Sequence, residues 1–218
     1  MFNRGKVMRI AMKGIIVLLA FLGLLINSIQ SDNLIESFSY YTLQSNLLIF
    51  IFFSVLLALE IKKIPYNRQL VIIKLVLTVG IFITFLIYHF ALRPVITNLN
   101  PDDYVVGDIR DILLHYAVPI MVFIDFIAFP QKLKLRWTDP LWVSVQPISY
   151  LLYTIIYTSL GGLYHLGDEV YVYPYFFLDV ARYGYLGVIL WSLTILMFYF
   201  IIGYLLTFFT NHIHKKTT

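Results

Sequence analysis

The chain has 218 residues, of which 60% are hydrophobic and 13% are charged, and its formal net charge is +4. Soluble domains contain about 25% charged residues, so this composition excludes a soluble globular protein and indicates an integral membrane protein. The absence of cysteine excludes disulfide bonds and thiol-based catalysis. No basic-aromatic pattern typical of nucleic-acid binding is present, and we expect no nucleic-acid partner.

Six apolar stretches are long enough to cross about 30 Å of hydrocarbon as helices. In chain order they are Ile10–Ile29, Phe38–Ile61, Gln69–Leu92, Ile112–Phe129, Pro140–Leu160 and Tyr185–Phe209. No internal repeat, linker or second domain is visible between them. The sequence therefore predicts an all-α integral membrane protein with six transmembrane helices, in which residues 1–218 form a single domain.

The charges alternate in sign from one loop to the next. Basic residues cluster at both ends of the chain and in the loops after the second and fourth spans: Arg4, Lys6, Arg9, Lys62, Lys63, Arg68, Lys132, Lys134, Arg136, Lys215 and Lys216. Acidic residues dominate the other three loops: Asp32, Glu36, Asp102, Asp103, Asp108, Asp111, Asp168, Glu169 and Asp179. Because cytoplasmic loops carry an excess of Lys and Arg, both termini are predicted to be cytoplasmic.

Four polar residues interrupt the second span near its outer end: Thr42, Gln44, Ser45 and Asn46. At about 100° per residue, Thr42, Ser45 and Asn46 share one helix face and Gln44 points away. Polar side chains at membrane depth usually face a bundle interior or a water-filled cavity, so this face predicts a polar pocket. The alternative is that these side chains only join neighbouring helices by hydrogen bonds.

Two further spans carry candidate functional residues at the same predicted membrane face. The third span ends with His89 and Arg93, one helical turn apart, and the fourth begins with His115. Pro119 follows four residues later, so the His115 carbonyl is expected to lose its helical partner and to accept another hydrogen bond. A histidine in a membrane helix can instead simply bind a neighbouring helix, and that alternative stays open for His89.

The segment after the fifth span is long and aromatic and contains His165 and Asp179. Loops of this length are often functional lids, so we expect it to fold over the outer mouth of the bundle. At the other end of the fourth span, Asp125 is expected to lie near the inner interface beside Lys132 and Lys134.

The residues at the outer mouth suit ester cleavage. A threonine hydroxyl is a weak nucleophile that needs a base, and an imidazole within hydrogen-bond reach supplies one. Thr42 and His115 both lie near helix N-termini, where the positive end of the helix dipole favours a neutral imidazole and a developing oxyanion. We therefore predict that Thr42 attacks an acyl carbonyl and His115 accepts its proton, with Ser45, Asn46 and the Thr42 backbone amide as oxyanion-hole candidates.

Three other residues are candidates for binding or orientation. His89, Arg93 and Asp179 are predicted to hold a carboxylate or to orient the base. No HxxxH or HExxH spacing occurs, so we predict no metal site, and the proposed chemistry needs no cofactor.

Five motifs resemble a bacterial six-span membrane family named for its conserved proline motifs: YYTLQSNLL, YHFALRP, LLHYAVPIMVFIDF, QPISYLLYTIIY and YPYFFLD. The resemblance covers essentially the whole chain and implies a location in the bacterial cytoplasmic membrane. That family is more distantly similar to the eukaryotic androgen-induced proteins that hydrolyse fatty acid esters of hydroxy fatty acids. Their catalytic pair is a threonine in the second span and a histidine in the fourth, which implies these roles for Thr42 and His115.

The chain departs from the eukaryotic hydrolases in some respects. The segment Tyr173–Asp179 is similar to their motif after the fifth span, but its acid is Asp179 where they have Glu. The spacing from His115 to Pro119 is tighter, and local insertions occur.

The predicted function is an intramembrane hydrolase whose partner is a membrane lipid or fatty-acid ester. The main alternative is a protein that binds or transports a lipid or another small molecule in the same pocket without chemistry. Against transport, the sequence shows no charged pair at mid-membrane and no inverted repeat. A third possibility is a purely structural membrane subunit.

Overall fold

The computed structural model describes residues 4–99, 107–130, 133–166 and 169–217. Four of the charges that determine the predicted orientation lie outside these residues: Asp102, Asp103, Lys132 and Asp168. The side chains of Lys215 and Lys216 also lie outside the described part of the chain.

The protein is about 82% helical, which confirms the all-α class. The α-helices in the described residues are α1 Arg4–Gln30, α2 Leu34–Ser37, α3 Tyr41–Lys62, α4 Arg68–Ile87, α5 Arg93–Leu99, α6 Ile109–Ile112, α7 Val118–Ala128, α8 Val145–Ser159 and α9 Val180–Thr217. A first π-helical segment, Tyr88–Leu92, joins α4 to α5, and a second, Leu113–Ala117, joins α6 to α7.

The remaining regular structure is short. Two 3₁₀ turns cover Asp139–Ser144 and Phe176–Leu178. The strands β1, Tyr164–Leu166, and β2, Glu169–Tyr171, pair antiparallel in a two-stranded sheet.

Five helical stretches in the described residues are long and apolar enough to cross a membrane: Arg4–Gln30, Tyr41–Lys62, Arg68–Thr97, Ile109–Ala128 and Val180–His212. They correspond to the first four predicted spans and the sixth. The fifth predicted span, Pro140–Leu160, is not among them, because only α8 is α-helical there. The 15 residues of α8 reach about 22 Å, which is less than the hydrocarbon thickness of about 30 Å. Proline at position 140 and the tighter 3₁₀ turn before α8 account for the difference.

Helix α4 lies at the centre of the bundle. On one side it packs against α3 and α7, and on the other side it packs against α8 and α9. Helix α1 contacts both α3 and α7. Gly80 lets α8 approach closely, since a Cβ atom there would lie 2.0 Å from Gln146 Oε1. Helices α8 and α9 hardly touch each other. The bundle therefore has a tightly packed side and an open side.

The loop between α8 and α9 folds back onto the end of the bundle where α3 begins, which we call the Thr42 end. The backbone N–H of His165 binds Glu36 Oε1 at 2.6 Å, and His165 Nδ1 lies 2.8 Å from Glu36 Oε2. The buried ring of Tyr164 packs edge-on against Tyr40, with 5.0 Å between the ring centroids. In the described residues, the structure thus confirms that this loop folds onto the bundle.

Four charged residues form a buried cluster at the opposite end of the bundle. The carboxylate of Asp125 lies between two lysines: Oδ1 is 3.1 Å from Lys13 Nζ and Oδ2 is 2.7 Å from Lys74 Nζ. Glu60 is 3.7 Å from Lys13 and accepts a hydrogen bond from the Tyr66 hydroxyl. The cluster joins α1, α3, α4 and α7, and it lies near the ends of α3 and α7 rather than at mid-span.

The partners of Asp125 differ from those expected. The sequence placed it beside Lys132 and Lys134, which are close along the chain. Among the described residues its ion pairs are with Lys13 and Lys74 from two other helices, because helix packing decides which charges meet inside a bundle, and Lys132 lies outside those residues. A fully buried carboxylate needs such partners, since desolvation without them costs several kcal/mol.

The charge cluster predicts that Asp125→Asn strongly destabilises the protein. The variant leaves Lys13 with the more distant Glu60 and removes the carboxylate that pairs with Lys74, and losing one member of a buried ion pair costs about 3–5 kcal/mol. Thermal unfolding in detergent measures the effect, with the exposed Asp32→Asn as the matched control. Equal melting temperatures for the two variants would show that the cluster does not hold the helices together.

Candidate functional site

A cavity of about 250 Å³ lies at the Thr42 end between α3, α4, α8 and α9. Its polar groups are concentrated on hydroxyl-bearing side chains: Tyr41, Thr42, Thr84, Tyr150, Tyr175, Ser192 and Tyr199. Apolar side chains of α4, α8 and α9, together with Phe177 and Leu178, form most of the remaining wall. The cavity is mainly apolar, and of the three residues on the predicted polar face only Thr42 lines it, whereas Ser45 and Asn46 form hydrogen bonds to neighbouring helices, as the alternative expects.

Thr42 lines this cavity from the first turn of α3 and is only 6% exposed. The residue before α3, Tyr40, makes no side-chain cap, so the first N–H groups of the helix need other partners. The Tyr175 hydroxyl accepts a hydrogen bond from the Tyr41 N–H at 3.1 Å. Tyr175 also hydrogen-bonds with the backbone and side chain of Thr42. The folded loop therefore supplies the helix cap beside the predicted nucleophile.

The environment keeps Tyr175 protonated. Burial raises the pKa of its hydroxyl to about 12, although hydrogen bonds from Thr42 and Tyr150 act in the opposite direction. At neutral pH Tyr175 is therefore a neutral group that can donate its own proton to an acceptor in the cavity.

Ser45 and Asn46, the predicted oxyanion-hole side chains, have other hydrogen-bond partners. The Ser45 hydroxyl lies 3.0 Å from the Thr42 carbonyl, to which it donates, and 3.3 Å from Thr84 Oγ1. Asn46 Nδ2 donates to the Thr42 carbonyl at 2.8 Å and to the Leu114 carbonyl at 3.1 Å. Both N–H groups of the Asn46 amide are thus in use, whereas its Oδ1 has no partner among the described residues.

His115 lies in the second π-helical segment and is held from two sides. Its Nδ1 is 2.8 Å from Asp111 Oδ1, and its ring stacks on Tyr88 with 3.7 Å between the ring centroids. In the described part of the chain, Nε2 has no hydrogen-bond partner. A carboxylate on Nδ1 fixes the ring orientation and leaves Nε2 as the free acceptor, which is the arrangement a general base needs.

Asp111 is a site residue that the sequence reasoning counted only among the loop charges. It is fully buried, and its Oδ2 accepts the Gly107 N–H at 2.9 Å. The signal was present, since Asp111 and His115 are four residues apart and share a helix face. It was overlooked because the predicted fourth span begins at Ile112, the residue after Asp111, whereas α6 begins at Ile109.

Asn46 binds the Leu114 carbonyl, whereas the sequence predicted that the carbonyl freed by Pro119 is that of His115. In a regular α-helix Pro119 would leave the His115 carbonyl without a donor. The helix is instead widened to π spacing here, with the Val118 N–H bonded to the Leu113 carbonyl five residues back. In this register the carbonyl facing Pro119 is that of Leu114, and it is the carbonyl that Asn46 binds.

The first π-helical segment has the same construction. The Arg93 N–H bonds to the Tyr88 carbonyl, and Pro94 follows directly, as Pro119 follows Val118. Widening a helix relieves the clash between a proline ring and the carbonyl four residues back. The motifs YHFALRP and LLHYAVP thus form two matching segments that face each other. Such π-helical segments occur frequently at functional sites.

His89 and Arg93 lie together, away from the cavity. His89 Nδ1 is 3.1 Å from the Tyr116 hydroxyl, and Arg93 donates to the same oxygen at 3.1 Å. Neither residue lines the cavity that contains Thr42. The structure therefore brings the two together, as the one-turn spacing predicts, but gives them Tyr116 as their shared partner.

Asp179 has a structural position at the start of α9. Its Oδ1 accepts the N–H groups of Ala181 at 2.9 Å and Arg182 at 3.3 Å, which is a helix N-cap. The carboxylate that contacts the His115 imidazole is that of Asp111.

The predicted catalytic pair lies on two adjacent elements that Asn46 links. Its amide bonds to the backbone carbonyl of Thr42 and to that of Leu114, the residue before His115. No hydrogen bond joins the Thr42 side chain to His115 in the described residues. No group of three or more His, Cys, Asp or Glu side chains there could hold a metal ion.

Comparisons with known proteins add no relative. No protein-family model, no curated protein and no solved structure matches the chain. The resemblance to the proline-motif family therefore stays a prediction. Several long apolar helices are compatible with a multi-pass membrane protein, and the protein class rests on them.

The Asn46 amide predicts a specific stability effect. Asn46→Ala leaves the Leu114 carbonyl without a donor, because Pro119 has no N–H, and an unsatisfied buried carbonyl costs about 1–3 kcal/mol. The matched control on the same helix is Ser54→Ala, whose hydroxyl bonds only to the Phe50 carbonyl one turn earlier. Thermal unfolding in detergent compares the two, and equal stability would remove the bridging role of Asn46.

Proposed function

We propose that the protein is a six-span membrane hydrolase of lipid esters, with both termini in the cytoplasm. Thr42 is the nucleophile and His115 the base. The observation that carries the proposal is the Thr42 hydroxyl at the polar end of an apolar cavity, next to a helix that presents an oriented carboxylate–imidazole pair. An apolar cavity with a few placed polar groups is the common form of a small-molecule site.

The fifth span in chain order, which brings the number to six in this proposal, is formed by α8 and the 3₁₀ turn before it. Together Asp139–Ser144 and Val145–Ser159 extend about 34 Å, enough for the hydrocarbon layer. An even number of spans puts both termini on one side, and the excess of Lys and Arg assigns that side to the cytoplasm.

The reaction proceeds in two steps. In the first, Thr42 Oγ1 attacks the ester carbonyl carbon while His115 Nε2 accepts the threonine proton. The C–O bond to the alcohol then breaks, and His115 returns the proton to the leaving alcohol. In the second step a water attacks the acyl-threonine, His115 again accepts and returns a proton, and the fatty acid leaves with Thr42 restored.

Asp111 and Tyr175 have supporting roles in this mechanism. Asp111 holds His115 in the tautomer with the proton on Nδ1 and stabilises the imidazolium that forms. Ser45 and Asn46 have their donors in use, so the oxyanion is stabilised by the neutral Tyr175 hydroxyl and by the positive end of the α3 dipole.

The imidazole must approach Thr42 during the reaction. In structures without substrate, the hydrogen bonds between catalytic groups are often long, or one water molecule connects the two groups. Asn46 is bonded to the backbone on both sides, and its Oδ1, which has no partner among the described residues, offers such a water an acceptor. The π-helical segments supply a hinge, because the hydrogen-bond spacing within each segment differs from that of the α-helices on either side.

A second candidate is a lipid-binding protein without chemistry. One observation favours it, which is the absence of a Thr42–His115 hydrogen bond in the described residues. The same cavity would then bind an acyl chain, and the polar residues would only orient its head group.

Substitution of Thr42 distinguishes catalysis from structure. Thr42→Ala is expected to abolish hydrolysis of long-chain esters by the purified protein while unfolding changes by about 1 kcal/mol or less. Thr42→Ser retains part of the activity, because the hydroxyl remains but its rotamer is less constrained. The matched control is Thr78→Ala, a buried threonine on α4 that does not line the cavity and keeps wild-type activity.

His115→Ala should match Thr42→Ala, and the double variant should be no worse than either, because residues that act as a unit are not additive. Labelling by a fluorophosphonate provides a second readout. Wild-type turnover by Thr42→Ala would refute the nucleophile assignment. A folded wild-type protein that neither turns over esters nor reacts with the probe would favour the binding protein.

The Asp111–His115 pair predicts a separate effect on rate. Asp111→Asn leaves the size of the side chain unchanged but removes the carboxylate, so kcat should fall about 10²–10⁴-fold with little change in KM. Asp108→Asn is the matched control, since Asn caps a helix as well as Asp does. Equal kcat values for the two variants would exclude Asp111 from the mechanism.

A further inference from the structure

On the open side of the bundle, α8 and α9 form most of the cavity wall. Both helices pack on α4 but hardly on each other, and only 11% of the most apolar stretch of α9 is buried. The cavity is lined there by Ile148 and Leu151 of α8 and by Leu193 and Leu196 of α9. Leu193 is nevertheless 55% exposed on the outer surface and Ile148 is 47% exposed. These side chains therefore lie both on the cavity wall and on the face that a bilayer would cover.

The cavity is also polarised along its length. Thr42, Tyr41 and Tyr199 lie toward α3, where the Tyr41 and Tyr199 hydroxyls share a hydrogen bond of 2.6 Å. The α8–α9 side is lined mainly by aliphatic side chains. A ligand that fits both ends has a polar group at Thr42 and a hydrocarbon part toward the membrane.

The volume decides how much of a lipid fits. Pockets for complete drug-sized ligands have about 300–1,000 Å³, and this cavity has about 250 Å³. It therefore holds one chain segment rather than a whole lipid, and the remainder of the molecule must extend out of the cavity. Between α8 and α9 that remainder meets hydrocarbon, where it needs no polar partner.

We propose that the gap between α8 and α9 is a lateral portal that admits one acyl chain of a bilayer lipid directly from the hydrocarbon layer. The chain lies between Ile148, Leu151, Leu193 and Leu196, and its ester group reaches Thr42. The inference deepens the proposed function by naming the route and the part of the substrate that binds. Acyl-chain binding itself does not require Thr42 to react.

The test uses bulky substitutions at matched positions. Leu193→Trp fills the portal from the α9 side, and Leu190→Trp places the same ring at a residue that is 56% exposed but does not line the cavity. On α8, Ile148→Trp and Ile155→Trp form the equivalent pair, with Ile155 49% exposed and outside the lining. All four variants are purified in nanodiscs, and their unfolding temperatures identify any that fail to fold.

The first readout is binding, measured on the Thr42→Ala background with a photoactivatable fatty-acid ester that carries a diazirine on its chain. Labelled peptides should map to residues 148–151 and 192–196, and excess unlabelled ester should compete. Leu193→Trp and Ile148→Trp should each reduce this saturable labelling about tenfold, whereas Leu190→Trp and Ile155→Trp leave it unchanged.

The second readout is turnover on the wild-type Thr42 background. Leu193→Trp should lower kcat/KM for a long-chain ester about tenfold and change that for an acetyl ester much less, because the acetyl group does not extend into the portal.

Saturable labelling without turnover in any variant would support the portal and refute the proposed hydrolase. Turnover that is insensitive to Leu193→Trp and Ile148→Trp would overturn the portal and leave the hydrolase intact. A change from dimer to monomer on Leu193→Trp would show that a second copy covers the gap, and would also overturn it.

Discussion

The hydrogen bonds of the Asn46 amide hold the two parts of the candidate site together. Inside a bilayer no water can satisfy a free carbonyl, so every break in helical bonding needs a side-chain donor. Pro119 creates such a break, and π spacing moves it to the Leu114 carbonyl, where Asn46 supplies the donor. The same amide binds the Thr42 carbonyl. The polar residues that look like simple helix contacts are therefore also what positions Thr42 relative to the helix carrying His115.

The two ends of the bundle differ in how firmly they are held. At one end, ion pairs among Lys13, Lys74, Asp125 and Glu60 join four helices inside the bundle. At the Thr42 end, the contacts are single hydrogen bonds, aromatic rings and a folded loop around a cavity. Regions with fewer buried contacts open at lower free energy than the rest of a protein. In the proposed mechanism the site that admits a lipid lies at the looser end, and the charge cluster holds the helices together at the other end.

Local sequence patterns predicted the features that depend on neighbouring residues. Apolar length identified five helices that are long enough to span a membrane, and the shared helix face of Thr42, Ser45 and Asn46 is buried, as predicted. Patterns failed where the partner is distant or the helix irregular. Nothing in the sequence near Asp125 specifies Lys13, and the freed carbonyl was assigned to His115 rather than Leu114 because π spacing was not anticipated. The fifth predicted span contains a 3₁₀ turn as well as α8, because hydropathy does not distinguish a 3₁₀ turn from an α-helix.

The arrangement also addresses a difficulty of any hydrolysis within a membrane, which needs a lipid and a water at the same atom. The cavity lies beside Thr42 and is also lined by α8 and α9, while the His115–Asp111 pair lies on the segments that lead into α7. In the proposed mechanism the acyl chain thus arrives from the hydrocarbon side. Water arrives past His115, whose side chain is 12% exposed and whose Nε2 is unoccupied in the described residues. Separate routes keep the bulk of the water away from the hydrocarbon and deliver both reactants to Thr42.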